Sequence, residues 1–538
     1  MSRLPKESRF RAVDVESETP VSNRDRWISF WAAVLAAWGF SAAATVANAM
    51  LPQIQGDLSA SLDQVSWIIT ASIVASALGI PPTPWLAARF GFRRVLLCAL
   101  VLFTVSSCMI AISSSLGEVV FWRIGQALFG APIMVLSQSF TVSSFEGKQR
   151  GMAMAIWSVA LTTGWVFGPA MGAYLADWHS WRLSFFMVCP ISLISIVVCW
   201  FFIPRDKPNR DLPFDWFGFG ALSIGLIALQ TVINRGQRED WFDSQEILIL
   251  SFISFAALTI YAINTCFSAK RFVRWQIFRD RNLAVGVLLT SIFGFISLAP
   301  LVLVPPMLGQ IKGLEVVTIG LVITPRGIVQ IVLMLMLGPY VARLNPRVLM
   351  AIGFISYAAG SSMMASYNMN IGLWDVLIPQ LLQGVTSALV WLPLFHILYT
   401  TLQREFHNEA SMINGLVYNL ISSAGVAALV VILSRSTQIN TAELAAHITS
   451  SSELLRFPEF GGFDPHNAVD AAAMHAQISQ QALMIGYVNI FWLLTWIALA
   501  ALPLLLLIPT ESHNRKTRAL AAELEATEVS STPAQPRS

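Results

Sequence analysis

The sequence predicts an all-α polytopic membrane protein, and three observations carry that prediction. Of 538 residues, 55% are hydrophobic and only 12% are charged, with a mean hydropathy of +0.63; soluble domains average about 25% charged residues. Fourteen apolar segments of about 20 residues or more follow one another, the length at which a helix rising ~1.5 Å per residue crosses ~30 Å of hydrocarbon. The loops between them alternate in basic character, as multi-pass insertion requires.

In chain order, residues 1–26 are polar and mixed in charge, with no apolar core before a cleavage site, so they read as a cytoplasmic tail and not as a signal peptide. The expected spans are 27–50, 65–87, 94–113, 119–143, 151–176, 182–203, 215–234, 246–267, 283–306, 316–340, 346–366, 373–399, 408–434 and 484–509. Basic residues crowd the even-numbered loops, as at Arg89, Arg93, Arg94, Lys148, Arg150, Arg343 and Arg347, while Asp57, Asp63, Glu118, Asp240 and Glu246 mark the odd-numbered ones. That bias places both termini in the cytoplasm and requires an even number of spans. The polar stretch 435–483 then lies outside. Within it Thr441–Leu455 reads as an amphipathic helix, Gly461-Gly462 as a turn, and Asp464-Pro465 as the start of a helix running into the last span. Residues 510–538 are a second cytoplasmic tail. The cysteines, Cys98, Cys108, Cys189, Cys199 and Cys266, are odd in number and lack metal-ligand spacing.

An internal repeat organises these spans. Pro84-Trp85-Leu86-Ala87-Ala88-Arg89 after span two matches Gly338-Pro339-Tyr340-Val341-Ala342-Arg343 after span ten, and Arg123-x-x-Gln126 in span four matches Gln380-x-x-Gln383 in span twelve. The offset of eight spans fits two six-helix bundles, 27–203 and 283–509, separated by two inserted spans within 204–282. Repeated halves flanking a central site are the architecture of secondary transporters. Span five carries Gly164, Gly168 and Gly172 on one face, with Pro169 among them. Small residues at that spacing let helices approach closely in lipid, and proline bends the helix. The stripe suits either a surface on which two bundles rock or ordinary tight packing.

These residues resemble the major facilitator superfamily, and more narrowly its fourteen-span drug-efflux branch, over roughly 27–509. Thr45-x-x-Asn48-x-x-Leu51-Pro52 resembles the branch's first-span motif. Trp85-Leu86 with Arg89, Gly91, Arg93 and Arg94 resembles the loop motif after span two. Arg123-x-x-Gln126 resembles the fourth-span motif, Gly164 to Gly172 the antiporter motif, and Asp240 to Ser244 a further local match. The resemblance implies two bundles alternating access to a midline cavity, with Arg89, Gly91, Arg93, Gly164, Gly168, Pro169 and Gly172 in gating or structural roles. It also brings the long outer loop of members that work with a periplasmic adaptor and an outer-membrane channel. The chain departs from the family where acids are expected: the first-span acid falls on Ala43, the loop aspartate on Ala88, and a span-thirteen basic position near Tyr418.

Ionisable groups inside a bilayer are functional candidates, since an arginine at a helix centre costs at least ~2.5–3.5 kcal/mol on insertion scales. Arg123 lies one turn into span four and is either a pair-forming structural arginine or a cavity cation. Arg326, between Pro325 and Gly327, lies near the midplane and either binds cargo or satisfies helix carbonyls freed by the Pro-Gly break. With no carboxylate deep in any span, the expected cargo is an amphipathic weak acid. Gln126, Gln138 and Trp391 join the two arginines as the expected substrate site; Gln330, Gln380 and Gln383 read as inter-helix amides. His396 is the histidine within an apolar span, and it is either the proton-coupling group or a hydrogen-bonded structural one. No phosphate-binding glycine loop, nucleophile–base pair or zinc spacing among His447, His466 and His475 is present. The expectation is therefore a non-enzymatic, proton-linked secondary active exporter of amphipathic drugs or weak acids across the inner membrane by alternating access, without cofactor, metal or nucleic acid, whose partners are a small-molecule substrate and the lipid bilayer. Export of one anionic metabolite driven by membrane potential, or a non-transporting sensor, are the alternatives.

Overall fold

The computed structural model describes residues 22–145, 147–204, 209–267, 277–278, 280–314, 316–341, 343–402, 406–447 and 468–508. Eight helices come first: α1 (Asn23–Asp57), α2 (Leu62–Gly79), α3 (Thr83–Phe90), α4 (Phe92–Ile112), α5 (Leu116–Ser144), α6 (Gly147–Trp178), α7 (Trp181–Phe186) and α8 (Val188–Phe202). Two follow as a hairpin, α9 (Trp216–Arg235) and α10 (Gln245–Phe267). Seven complete the chain: α11 (Arg281–Ser297), α12 (Ala299–Lys312), α13 (Val316–Leu337), α14 (Pro346–Met364), α15 (Leu373–Thr400), α16 (His407–Ala446) and α17 (Ala468–Leu504). Among the described residues, thirteen helical stretches are long and apolar enough to cross a membrane, or fourteen if α2 and α3, bent by 49°, form one span. Pro81 and Pro82 stand at that bend and remove the backbone donors a continuous helix needs.

Helix packing follows chain order. α1 lies along α6, α2 and α4 along α5, and α8 against α1 and α4. In the later part α13 and α14 pack on α15, α16 on α11 and α17. Consecutive spans alternate in direction, so Arg89, Arg94, Arg343 and Arg347 gather at one end, here termed the basic end, and Asp57, Glu246 and Asp375 at the other. α16 continues unbroken to Ala446 and absorbs the start of the separate amphipathic helix expected at Thr441. Gly461-Gly462 and Asp464-Pro465 lie outside the described residues, and α17 enters the last span from Ala468.

The glycine stripe of α6 sits against α1, inside the first set of helices. A Cβ at Gly164 would overlap Ser41 Oγ, one at Gly168 would fall 2.6 Å from the Ala42 carbonyl oxygen, and one at Gly172 would fall 2.6 Å from Val46. The stripe is therefore a tight intra-bundle contact and not a rocking surface. Pro169 leaves α6 one continuous helix to Trp178.

The loop motif after α2 makes its contacts with α8 and with the segment entering α9. Gly91 joins α3 to α4 at φ +95°, a conformation that favours glycine. Arg89 donates to the Leu212 carbonyl, Trp85 Nε1 to Pro213 O at 3.2 Å, and Arg93 to the Trp200 carbonyl. Trp85 and Arg89 thus tie the segment entering α9 to the first helices, and Arg93 ties α4 to α8. At its other end α9 places Arg235 over the Trp67 ring, 4.6 Å from its centroid, and Arg238 against Ser66 of α2. Asn234 and Gln230 meanwhile meet Ser423 of α16 at 3.3 and 3.0 Å.

At the acidic end Asp57 closes α1 onto its neighbours. Its carboxylate accepts from Trp181 Nε1 at 3.0 Å and from Arg182, which also donates to Ser113 O at 3.2 Å. The indole N–H, and then the guanidinium, hold the Asp57 carboxyl below the usual carboxylate range.

Two outcomes follow from this packing. Gly168→Ala should lower the melting temperature of detergent-solubilised protein by the equivalent of ~1–3 kcal/mol. Gly220→Ala, at a helical glycine with open space around it, should be neutral or stabilising. Because the Asp57 pKa is depressed, its contribution is present above the unfolded carboxylate pKa of about 3.9 and is lost as pH falls through the lower folded value. Asp57→Asn should therefore be destabilised at neutral pH by at most ~1 kcal/mol, as expected for an exposed pair, and its deficit should shrink as melting is measured at progressively lower pH.

Candidate functional site

A cavity of about 40 Å³ lies between the early and late helices, lined by residues of α6, α11–α13, α15 and α16. Its polar residues are Arg326, Gln330, Ser297, Ser387 and Thr162; its aromatic residues are Trp165, Phe293, Trp391 and Tyr418. Among the described residues no carboxylate lines it. The volume holds a few water molecules, whereas drug-sized ligands occupy about 300–1,000 Å³, so the helices must part to admit cargo.

Arg326 is the charge in this cavity. It is 6% exposed, and its Nη2 donates to Ser297 O at 2.8 Å while Nη1 reaches Gln383 Oε1 at 3.4 Å. Ser297 is the last residue of α11, where the chain breaks before α12. Pro300 has no N–H for the Ile296 carbonyl, and the Tyr357 hydroxyl donates there at 2.8 Å. Carbonyls at a helix C-terminus carry partial negative charge, and Arg326 sits on that end. The freed carbonyls that it meets thus belong to the α11–α12 break, while α13 stays helical through Pro325.

The aromatic groups form a continuous wall. Trp165 of α6 stacks on Tyr418 of α16 with centroids 5.9 Å apart and planes within 7°. Trp391 lies 5.0 Å from Tyr418, 5.3 Å from Phe293 and 4.7 Å from Phe395. Phe395 meets Trp157 of α6 edge-on at 5.6 Å. Below that contact, Arg150 lies over the Tyr399 ring, Ser139 bonds to Asn408, and a Cβ at Gly151 would overlap the Gly338 carbonyl. These contacts close the path from the cavity to the basic end.

Of the residues expected to bind substrate, Arg326 and Trp391 line the cavity; Arg123, Gln126 and Gln138 do not. Arg123 is 1% exposed and donates to Ala43 O at 2.9 Å, Gln126 Oε1 at 2.6 Å and Ser72 Oγ at 3.3 Å, with the Phe185 ring 5.5 Å away. Gln126 passes its N–H to Ser107 at 2.7 Å. Protein groups thus enclose Arg123 within the first bundle, which corrects its placement with Arg326 around one void. Gln138 is buried and its Nε2 has no hydrogen-bond partner among the described residues. His396, next to Phe395 in the chain, is half-buried and is not among the residues lining the cavity. Thr162, Ser297, Ser387 and Phe293 escaped the sequence reading because nothing in hydropathy distinguishes them from packing residues. Tyr418 carried a signal, standing where the resemblance expects a basic residue.

The Major Facilitator Superfamily family model matches residues 30–426. The multidrug export protein EmrB of Haemophilus influenzae is 31% identical over 453 residues, covering 84% of this chain and 89% of that protein. The fatty acid resistance protein FarB of Neisseria gonorrhoeae is 27% identical over 475 residues, covering 87% and 93%. Among solved structures, the proton:xylose symporter XylE bound to 6-bromo-6-deoxy-D-glucose superposes with a TM-score of 0.58 at 14% identity, covering 89% of this chain and 95% of that one.

Proposed function

From the premise that this chain belongs to the major facilitator superfamily, a family of transporters, we propose that it is a secondary active exporter of amphipathic weak acids. The observation that carries the reading is the Arg326 cavity: one buried guanidinium, no carboxylate, and a wall of Trp165, Phe293, Trp391 and Tyr418. The guanidinium suits a carboxylate, with which it makes charge-assisted, often bidentate bonds. The aromatic wall suits the apolar body behind it. The names of the relatives, multidrug export and fatty acid resistance, support the same class of cargo.

The basic end is then cytoplasmic, both termini lie there, and the membrane is the inner one. The closed contacts at Trp157–Phe395 and Gly151–Gly338 form the cytoplasmic gate. α1–α8 and α11–α17 act as the two bundles, and α9–α10 travel with the first through Arg89, Trp85 and Arg235. An adaptor and an outer-membrane channel would receive the cargo at the outer loop. Proton exchange supplies the energy, with His396 next to the gate residue Phe395 as the titrating group. Voltage adds to it, since an anion leaving an inside-negative compartment gains ~2.3 kcal/mol per 100 mV. The alanines at Ala43 and Ala88 favour a second reading, in which voltage alone drives export of one anionic metabolite.

Proteoliposomes given decanoate and decylammonium separate cargo classes. Decanoate should be transported and decylammonium excluded; preference for the cation would overturn the assignment. Arg326→Gln should raise the decanoate KM by about tenfold to a hundredfold, the equivalent of one charge-assisted interaction. The pH dependence of the transport rate should flatten in His396→Gln if that imidazole carries the proton. An unchanged pH profile would leave voltage as the driving force.

A further inference from the structure

Gln330 lies one turn after Arg326 on α13, so both side chains share a helix face. Its Nε2 donates across the bundle interface to Thr162 Oγ1 of α6 at 2.8 Å. Thr162 gives its own proton to Ser158 O at 2.9 Å, which leaves its oxygen to accept. A primary amide has two N–H groups. The other neighbour of Gln330 Nε2 is the Met334 thioether at 3.9 Å, a weak acceptor. Both Gln330 and Thr162 line the cavity and are buried. Around this bond the α6–α13 seam is narrow and apolar: Val166 lies 3.9 Å from where a Gly327 Cβ would sit, and a Cβ at Gly338 would meet Ala155 at 2.6 Å.

We propose that Gln330 and Thr162 form a clasp between the two bundles that bound cargo tightens. The proposal rests on the reading of Arg326 as the anchor for an anion. A carboxylate on that guanidinium comes within reach of the second N–H of Gln330 and is a far stronger acceptor than a thioether. Taking that hydrogen fixes the amide in the rotamer that donates to Thr162. The anion is thereby linked through one side chain to the opposite bundle. Loaded carrier keeps α6 and α13 together and the gate at the basic end shut, while in the empty carrier Gln330 bonds across the seam with no ligand to fix its amide. Gln330 is thus a positioning residue that reports occupancy to the interface, distinct in role from Arg326, which anchors charge.

The test places spin labels at Arg94→Cys and Arg343→Cys, exposed positions at the basic end in opposite bundles, on the full chain with its five native cysteines replaced. In lipid nanodiscs, decanoate should shift the parent distance distribution toward its short component. Thr162→Val should widen the ligand-free distribution and, at decanoate concentrations that saturate the variant, show no decanoate response. Thr162→Ser, which keeps the acceptor, should restore the response. Gln330→Leu should widen the distribution and weaken decanoate binding by about fivefold or more. Ligand-free distributions of Thr162→Val and Gln330→Leu that both match the parent would overturn the clasp. A decanoate response that survives in Thr162→Val would do the same. If decanoate fails to bind the parent, the cargo assignment falls; widened ligand-free distributions in the two variants would then still support the clasp, and unchanged ones would overturn it.

Discussion

A guanidinium inside a bilayer must find acceptors within the protein, because lipid offers none. This chain meets that demand without an acid. Arg326 rests on the carbonyl of Ser297, at the broken end of α11, and Arg123 on the carbonyl of Ala43 in α1. Backbone oxygens carry only partial charge, so each guanidinium keeps an unneutralised positive field. In Arg123 that field is sealed among Gln126, Ser72 and the Phe185 face. In Arg326 it opens onto a cavity, and that difference separates a structural cation from one able to take a ligand.

The two clusters are related by the internal repeat in a way that exchanges their parts. With Arg89 aligned on Arg343, Ala43 falls on Ser297 and Ser72 falls on Arg326; Gln126 and Gln383 correspond in their own motif. Each half therefore holds a guanidinium between the carbonyl of its first span and the amide of its fourth. In the first half the arginine comes from the fourth span and reaches Ser72 on the second. In the second half it comes from the second span and reaches Gln383 on the fourth. The residue matching Arg123 is Gln380, buried with neither amide atom bonded among the described residues. The repeat preserves the place of the charge rather than the residue that supplies it.

The inserted hairpin is more than a passenger on this frame. α9 is held to the first bundle at one end by Trp85 and Arg89 and at the other by Arg235 over Trp67, while Gln230 and Asn234 touch α16 of the second. An amide–hydroxyl contact in lipid is worth ~0.6–2 kcal/mol, weak enough to remake as bundles move. α10, by contrast, leaves Phe252, Phe255 and Phe267 exposed, a face suited to acyl chains. α9 thus contacts both bundles, while α10 exposes an apolar face.

Local chemistry determined much of this protein directly. Apolar length set the number and order of the spans, basic loops marked one end, and the repeat of Arg89 and Gln126 in Arg343 and Gln383 marked the halves. Isolation near mid-span singled out Arg326, because an ion there has no cheap alternative. Hydropathy says which residues avoid water but not which helix each one faces, and that was left to the tertiary structure. Packing alone turned Gly164, Gly168 and Gly172 toward α1, enclosed Arg123, aimed Arg89 at the segment entering α9 and Arg93 at α8, and brought Thr162, Trp165 and Tyr418 around Arg326. A helix face acquires its partner only when the other helices are in place, so the identity of the spans was local and the composition of the cavity was not.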